Sequence, residues 1–369
     1  MISLQVKGIP INILNPIIGI IKNDDVDKDT YIVDSLLRDK KILLSKKSIY
    51  NSKSIGVFNI NINYLTPGDI VVLFPNGVVK TLFRIESADN SIFMTNTCNQ
   101  NCIMCSQPPQ NKNDIEQQFN INYSLIDFIP LTTRQIGISG GEPLLCCIYL
   151  NHLLTKLFSR IELINVFILT NAVLLSDIKY FQNLQGLPKD RILFSVPLYG
   201  DNQFTHDSIV RSKGSFNKTI IGIYNLYKHN YRVELRVIPQ KKNIMRLEKL
   251  SHFIYSNLTF VENVAFMGIE NIGNANKNSD EIWLTPDELK NPLKKATEFL
   301  KMSGINCSLY NYPNCVLSKQ LQLLSLQTIS DWKREYLPQC LECKERNNCG
   351  GIFNSSIDLM KQYIEPIID

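Results

Sequence analysis

Apolar and polar positions change rhythm along this chain. Up to about residue 90, apolar residues come in short runs closed by turn formers: Ile55 to Asn63, Pro67 to Phe74, a Pro75-Asn76-Gly77 turn, then Val78 to Ile85. Such runs predict strands joined by tight turns, and hence a small β-rich unit or barrel over residues 1–90. From about Ser91 the rhythm becomes alternation. Short apolar runs near 91–95, 135–139, 165–170, 192–197, 232–238 and 263–268 predict strands, with helical spacing between them, clearest at Asn217 to Lys228 and Ile244 to Ser256. Strand and helix in alternation predict an α/β core, taken here as residues 91–290, with a parallel sheet whose strand ends share one face. Residues 291–369 are set apart by clustered cysteines.

Composition narrows the partners. The 369 residues carry a net charge of +5, with lysines scattered among asparagines and isoleucines. There is no dense basic stripe of the kind that tracks a phosphate backbone, so no nucleic-acid partner is expected. The apolar stretch Ile9 to Ile21 is interrupted by Pro10, Asn12, Asn15, Pro16 and Gly19 and lacks a basic leader, so it predicts neither a membrane span nor an export signal. Cytoplasmic residence is the default expectation. The ten cysteines then read as metal ligands or free thiols rather than disulfides.

Three of them form the run Cys98-Asn99-Gln100-Asn101-Cys102-Ile103-Met104-Cys105. Thiolates spaced in this way suit three irons of a 4Fe-4S cube and leave the fourth iron open to a small molecule. A zinc knuckle short of its fourth ligand, or three reduced thiols, would use the same spacing. Downstream, Ile136 to Ser139 reads as a strand broken by Gly140-Gly141-Glu142-Pro143 ahead of a helix from about Leu145 to Phe158. The glycine carbonyls and the Glu142 carboxylate are acceptors able to hold an ammonium, and the glycines let a ligand approach the backbone. The plainer reading is a strand-to-helix turn with Pro143 at the first helical position. Thr170 and Asn171 end the next apolar run, where they would face a ligand at the mouth of a parallel barrel.

Together these segments resemble the radical S-adenosylmethionine (SAM) superfamily. The resemblance implies a partial (β/α)6 TIM-like barrel, with Cys98, Cys102 and Cys105 holding a 4Fe-4S cluster whose open iron chelates SAM. It implies that Gly140, Gly141, Glu142 and Pro143 bind the amino group and that Thr170 and Asn171 lie near the ribose. Ser195, followed by His206-Asp207 and the run Arg211-Ser212-Lys213-Gly214-Ser215-Phe216, resembles the pattern of peptide-modifying members, which implies that Ser195 and Arg211 contact the SAM carboxylate. A guanidinium gives a carboxylate two parallel hydrogen bonds, whereas the alternative for Arg211 is a surface ion pair with Asp207. His206 reads as a turn or capping residue. The Phe266 to Glu270 segment reads as core packing through Met267, or as lining for the adenine.

A second cysteine set, Cys340-x2-Cys343-x5-Cys349-Gly350-Gly351, is preceded by Cys315. Four thiolates would close one cluster, and a structural zinc site would use the same ligands. The spacing resembles the SPASM and twitch extensions of peptide-modifying radical SAM enzymes, which implies one auxiliary 4Fe-4S cluster, with Cys307 as the alternative to Cys315. The longer form of that motif has a further cysteine where this chain has Phe353. Cys146 and Cys147 read as buried, inert thiols.

The stretch Asn96 to Pro109, with Cys105-Ser106-Gln107-Pro108-Pro109 at its end, resembles the His-Xaa-Ser system radical SAM maturases, C component; Met104 departs from the aromatic favoured across the superfamily. That resemblance implies reductive cleavage of SAM to a 5'-deoxyadenosyl radical that modifies a ribosomally made His-Xaa-Ser repeat precursor peptide. It further implies a partner maturase and a flavodoxin- or ferredoxin-like reductant. Rival readings are a radical SAM enzyme acting on RNA or a small metabolite, and a non-enzymatic iron-sulfur or zinc protein.

Overall fold

The computed structural model describes residues 4–24, 27–36, 40–48 and 53–368. Its N-terminal unit is one sheet of eight short strands: β1 (Gln5–Lys7), β2 (Ile9–Ile11), β3 (Ile17–Asn23), β4 (Thr30–Ser35), β5 (Ile42–Ser45), β6 (Ile55–Phe58), β7 (Ile70–Leu73) and β8 (Val78–Phe83). The sheet runs β1-β8-β7-β3-β4-β5-β6-β2. Its two ends, β1 and β2, are successive halves of one segment bent at Gly8, so the sheet closes on itself and leaves no long free edge. Ile21, Val33, Ile42, Leu44, Val57 and Val71 fill the interior. The apolar stretch Ile9 to Ile21 supplies β2 and part of β3, and no helix among the described residues is long and apolar enough to cross a membrane.

The central sheet is parallel throughout. Strands β9 (Ser91–Phe93), β10 (Gln135–Ser139), β11 (Asn165–Leu169), β12 (Ile192–Pro197), β13 (Arg232–Val237) and β14 (Asn263–Met267) occur where the apolar runs predict them and lie side by side in chain order. The helices between them are α1 (Ile115–Leu125), α2 (Cys147–Arg160), α3 (Gln203–Val210), α4 (Ser215–Lys228) and α5 (Leu247–Asn257). The fold is α/β with the parallel array of a partial TIM-like barrel. The sheet continues past the six anticipated strands through β15 (Cys307–Tyr310) and β16 (Ser325–Leu326), both parallel to their neighbours. These two strands are short, and β15 is bounded by an asparagine-rich turn, so neither stands out by periodicity.

Alternation within the strands separates two environments. On β12 and β13, Phe194, Val196, Val233, Leu235 and Val237 turn outward into the core beneath the helices. Residues at the intervening positions, Ser195, Glu234 and Arg236, turn into the lumen. The same outer core joins the N-terminal unit to the barrel through Ile70 and Phe83, with Ile18 and Ile20 packed against it. An ion pair at 3.1 Å between buried Arg84 and exposed Asp331 links that unit to the C-terminal segment. Phe194 is fully buried, with the Tyr231 ring set edge-on at 5.2 Å. Replacing Phe194 with alanine is expected to cost about 3–5 kcal/mol through lost burial and the cavity left behind, read as an earlier urea midpoint at unchanged slope.

Candidate active site

The cysteine loop leaves the end of β9 and is held against the end of β10 by main-chain pairing. Gly141 N donates to Thr95 O at 2.7 Å and Glu142 N to Thr97 O at 2.8 Å, extending the β9–β10 ladder past the strands. This contact explains the second glycine. A Cβ on Gly141 would lie 1.9 Å from the Thr97 carbonyl oxygen, so what comes close to the glycine backbone is the cysteine loop itself. Asp114 anchors the loop from beneath, accepting from the Thr95 hydroxyl at 2.7 Å and from the Asn96 side chain at 2.5 Å.

Glu142 is 1% exposed. Its carboxylate accepts from Leu144 N at 2.9 Å, from the Thr170 hydroxyl at 2.6 Å and from Asn171 N at 2.8 Å. Burial pushes its carboxyl above the usual range, and the donors from Thr170, Leu144 and Asn171 pull the other way. Glu142 therefore ties the exit of β10 to the exit of β11, and Asn171 Nδ2 continues the chain of bonds to Asn99 in the cysteine loop at 2.6 Å. Pro143 is buried and opens the short helical turn that leads into α2, as its position predicts.

These residues surround one cavity of about 300 Å³, a volume suited to a small molecule, at the C-terminal ends of the parallel strands. Cys98, Cys102, Cys105, Gly140, Gly141, Glu142, Thr170, Asn171 and Ser195 all line it, though they are drawn from the exits of four strands. The three cysteines are half-buried. Burial pushes the Cys98 thiol up to about 11 and raises Cys102 and Cys105 as well. Thiols protonated in this way are poor free nucleophiles, and the positive charge of a bound metal is what would convert them to thiolate ligands. Gln100 N already points at Cys98 Sγ, 3.4 Å away, the kind of main-chain donor that stabilises a cluster thiolate.

Ser195 leads to a lumen network that the sequence reading missed. Its hydroxyl donates to Glu234 Oε1 at 3.2 Å, and buried Glu234 also accepts from Arg236 Nε at 3.0 Å, Asn263 Nδ2 at 3.1 Å and Tyr310 OH at 3.0 Å. Four donors, one of them the Arg236 guanidinium, satisfy a carboxylate that would otherwise be costly to bury. Arg236, Gln100 and Tyr199 line the cavity too. The available signal was Arg232-Val233-Glu234-Leu235-Arg236, charges alternating with apolar residues in a strand whose two faces are both enclosed.

Arg211 stands apart from that group. It is exposed, closes α3 in a left-handed conformation and donates to Asn278 Oδ1 at 3.2 Å, outside the residues that line the cavity. Asp207 accepts from Gly214 N and Phe216 N, shaping the turn into α4, and makes no ion pair with Arg211. His206 does not cap α3; Asn202 does. The His206 ring is buried, accepts from Tyr199 N at 3.3 Å, and is held neutral by a burial-lowered pKa of about 4.

The second cysteine set also converges. Cys340, Cys343 and Cys349 lie in the loop between short antiparallel strands at Arg334–Glu335 and Ile352–Phe353, and Cys315 follows β15. All four line one small cavity beside Tyr336, Arg346 and Ile364. Cys349 Sγ faces Asn314 N and Gly351 N at 3.3 and 3.4 Å, and Cys343 Sγ faces Ile367 N at 3.3 Å. Cys307 is elsewhere, buried on β15 with its thiol toward Thr297 O. Among the described residues no three His, Cys, Asp or Glu side chains are gathered around a single-ion position. Cys146 and Cys147 are buried at the start of α2, where burial pushes their thiols up to about 12 and 11.

Gly141→Ala is expected to push the cysteine loop off β10, since overpacking of this kind costs about 1–3 kcal/mol. The measurement is iron bound per chain after anaerobic reconstitution. It should fall well below wild type while the far-ultraviolet circular dichroism is unchanged.

Residues 92–254 match the family model described as the Radical SAM superfamily. No curated protein matches the chain. Among solved structures, native anSMEcpe with bound AdoMet shares the fold at 12% identity, covering 73% of this chain and 89% of that one with a TM-score of 0.50. Streptococcus suis SuiB aligns at 14% identity over 59% of this chain and 48% of its own, with a TM-score of 0.45. Coproporphyrinogen III oxidase (HemN) from Escherichia coli, a radical SAM enzyme, aligns at 11% identity over 58% and 52%, with a TM-score of 0.44. The chain thus spans about half the length of SuiB and of HemN. The three-cysteine loop, the Gly-Gly-Glu turn and the strand-end polar residues that share one cavity all lie inside residues 92–254, the part of the chain that matches the Radical SAM superfamily model.

Proposed function

We propose that this protein is a radical SAM peptide maturase, one that modifies a ribosomally made precursor peptide bearing His-Xaa-Ser repeats. The observation that carries the catalytic part is the convergence of Cys98, Cys102 and Cys105 with Gly140, Gly141, Thr170 and Asn171 around a single strand-end cavity. The peptide part is supported by the Asn96 to Pro109 stretch and by the C-terminal cysteines, whose spacing resembles auxiliary-cluster extensions.

The donor sets fit the implied groups. Cys98, Cys102 and Cys105 would hold a 4Fe-4S cluster with one iron left for SAM, and Cys315, Cys340, Cys343 and Cys349 would hold an auxiliary cluster. When bound, the cluster and SAM supply one-electron cleavage of the sulfonium, giving methionine and a 5'-deoxyadenosyl radical, with the electron coming from a flavodoxin- or ferredoxin-like donor. The chain's own residues do the positioning. The carbonyls of Gly140 and Gly141 offer acceptors to an ammonium, Ser195 offers a hydroxyl already oriented by Glu234, and Thr170 and Asn171 are fixed by Glu142 before any ligand arrives. Arg236 brings a cation to the cavity wall. Apolar Met104, Leu169, Ile238 and Met267 complete that wall and limit water around a reactive centre.

The test is anaerobic reconstitution with iron and sulfide, then dithionite and SAM, with chromatography for 5'-deoxyadenosine. Wild type should form it and the Cys98→Ala/Cys102→Ala/Cys105→Ala variant should not; product from the variant would sink the catalytic reading. Wild type should hold about eight irons per chain and Cys340→Ala/Cys343→Ala about four. Stoichiometric zinc at that second site would replace the auxiliary cluster. A synthetic His-Xaa-Ser repeat peptide should change mass in the same reaction, and 5'-deoxyadenosine formed beside an unaltered peptide would remove that substrate.

A further inference from the structure

We propose that the segment Gly273–Asn278, which follows β14, is a positioning strap that sets the geometry of the cysteine loop. The inference rests on the reading of that loop as a cluster site and adds residues far from it in sequence. Asn274 N donates to Cys105 O at 2.8 Å, Asn274 Nδ2 to Cys102 O at 3.0 Å and to Asn101 Oδ1 at 2.8 Å, and Asn278 Nδ2 to Ile103 O at 2.9 Å. Two asparagines therefore engage three main-chain carbonyls within the four residues Cys102 to Cys105. Asn274 is 8% exposed, so these bonds are sheltered from water.

The strap lies very close to the loop. Gly273 has φ +62°, and a Cβ there would come within 2.6 Å of Ser106 O and 2.7 Å of Cys105 O. From the opposite side the end of α3 grips the same loop, with Ile103 N donating to Ile209 O at 2.9 Å and Asn101 N to Val210 O at 3.3 Å. Ile103 and Met104 pack into a small apolar cluster with Ile209, Val210, Ala275 and Ile282, drawn from α3 and from the strap region. The loop is thus clamped between α3 and the strap.

The chemical consequence concerns which groups face the metal. Carbonyl oxygens repel thiolate sulfurs and N–H groups stabilise them, so the strap's capture of the Cys102, Ile103 and Cys105 carbonyls keeps acceptors turned away from the sulfurs. Arg211 docks on the same strap through Asn278. Asn274 and Asn278 are positioning residues, acting on the cluster through the loop they hold.

Two measurements on Asn274→Ala, Asn278→Ala and the exposed-residue control Asn276→Ala test this. In the cluster-free chain, amide hydrogen exchange at Ile103 and Cys105 should quicken at least about tenfold in the first two variants and not in the control. In the reconstituted chain, the electron paramagnetic resonance (EPR) spectrum of the reduced cluster should shift or broaden in those variants, and Asn274→Asp, the same size but unable to donate, should behave as Asn274→Ala. Unchanged exchange at both amides overturns the inference. So does faster exchange with a wild-type spectrum and wild-type iron content. If wild type takes up no cluster, the proposed function fails, and the exchange data alone decide whether the strap positions the loop.

Discussion

Everything at the site depends on two main-chain hydrogen bonds, from Gly141 N to Thr95 O and from Glu142 N to Thr97 O. They continue a parallel ladder past the ends of β9 and β10 and lay the cysteine loop across the mouth of the sheet. Without a side chain at 141 the loop can lie there; with one it cannot, because the Thr97 carbonyl occupies the space. The Gly-Gly pair, read from sequence as a way for a ligand to approach the backbone, is first a way for two pieces of backbone to approach each other.

From that contact the remaining order is relayed by buried carboxylates that bridge neighbouring strands. Glu142 couples β10 to β11 through Thr170 and Asn171, Asn171 returns to Asn99 in the loop, and Glu234 gathers β12, β13, β14 and β15 through Ser195, Arg236, Asn263 and Tyr310. A buried carboxylate placed at such a junction is costly if any partner is lost and orienting when all are present. The two carboxylates hold separate polar clusters on the inner side of the sheet, while the outer faces of the same strands are apolar and carry the helices. Function and stability thus occupy alternate residues of the same strands.

What could be read in advance follows from the range of the interactions. The six strands from 91 to 268 were legible because each is a compact apolar run bounded by polar residues, and the strand-end positions of Cys98, Gly141 and Asn171 follow from counting along those runs. Strands β15 and β16 were not, being too short to show a period. The partners of Glu234 lie 39 and 76 residues away at Ser195 and Tyr310, and Asn274 reaches Asn101 across 173 residues, distances at which a single sequence carries no signal. Arg211 shows the opposite limit, since a motif drew attention to it and its side chain rests on Asn278, outside the cavity lining. Among the C-terminal cysteines, Cys315, Cys340, Cys343 and Cys349 line one cavity, while Cys307 lies apart, buried on β15.

In the proposed function the cavity presents a cluster with an iron open to SAM. The most direct measurement of this is the EPR spectrum of the dithionite-reduced, reconstituted Cys340→Ala/Cys343→Ala protein, recorded with and without saturating SAM, so that only the loop cluster contributes. A signal of the reduced 4Fe-4S type is expected, with g-values that move on adding SAM because the added molecule coordinates the cluster. A reduced cluster whose spectrum is identical with and without SAM would contradict the proposed function.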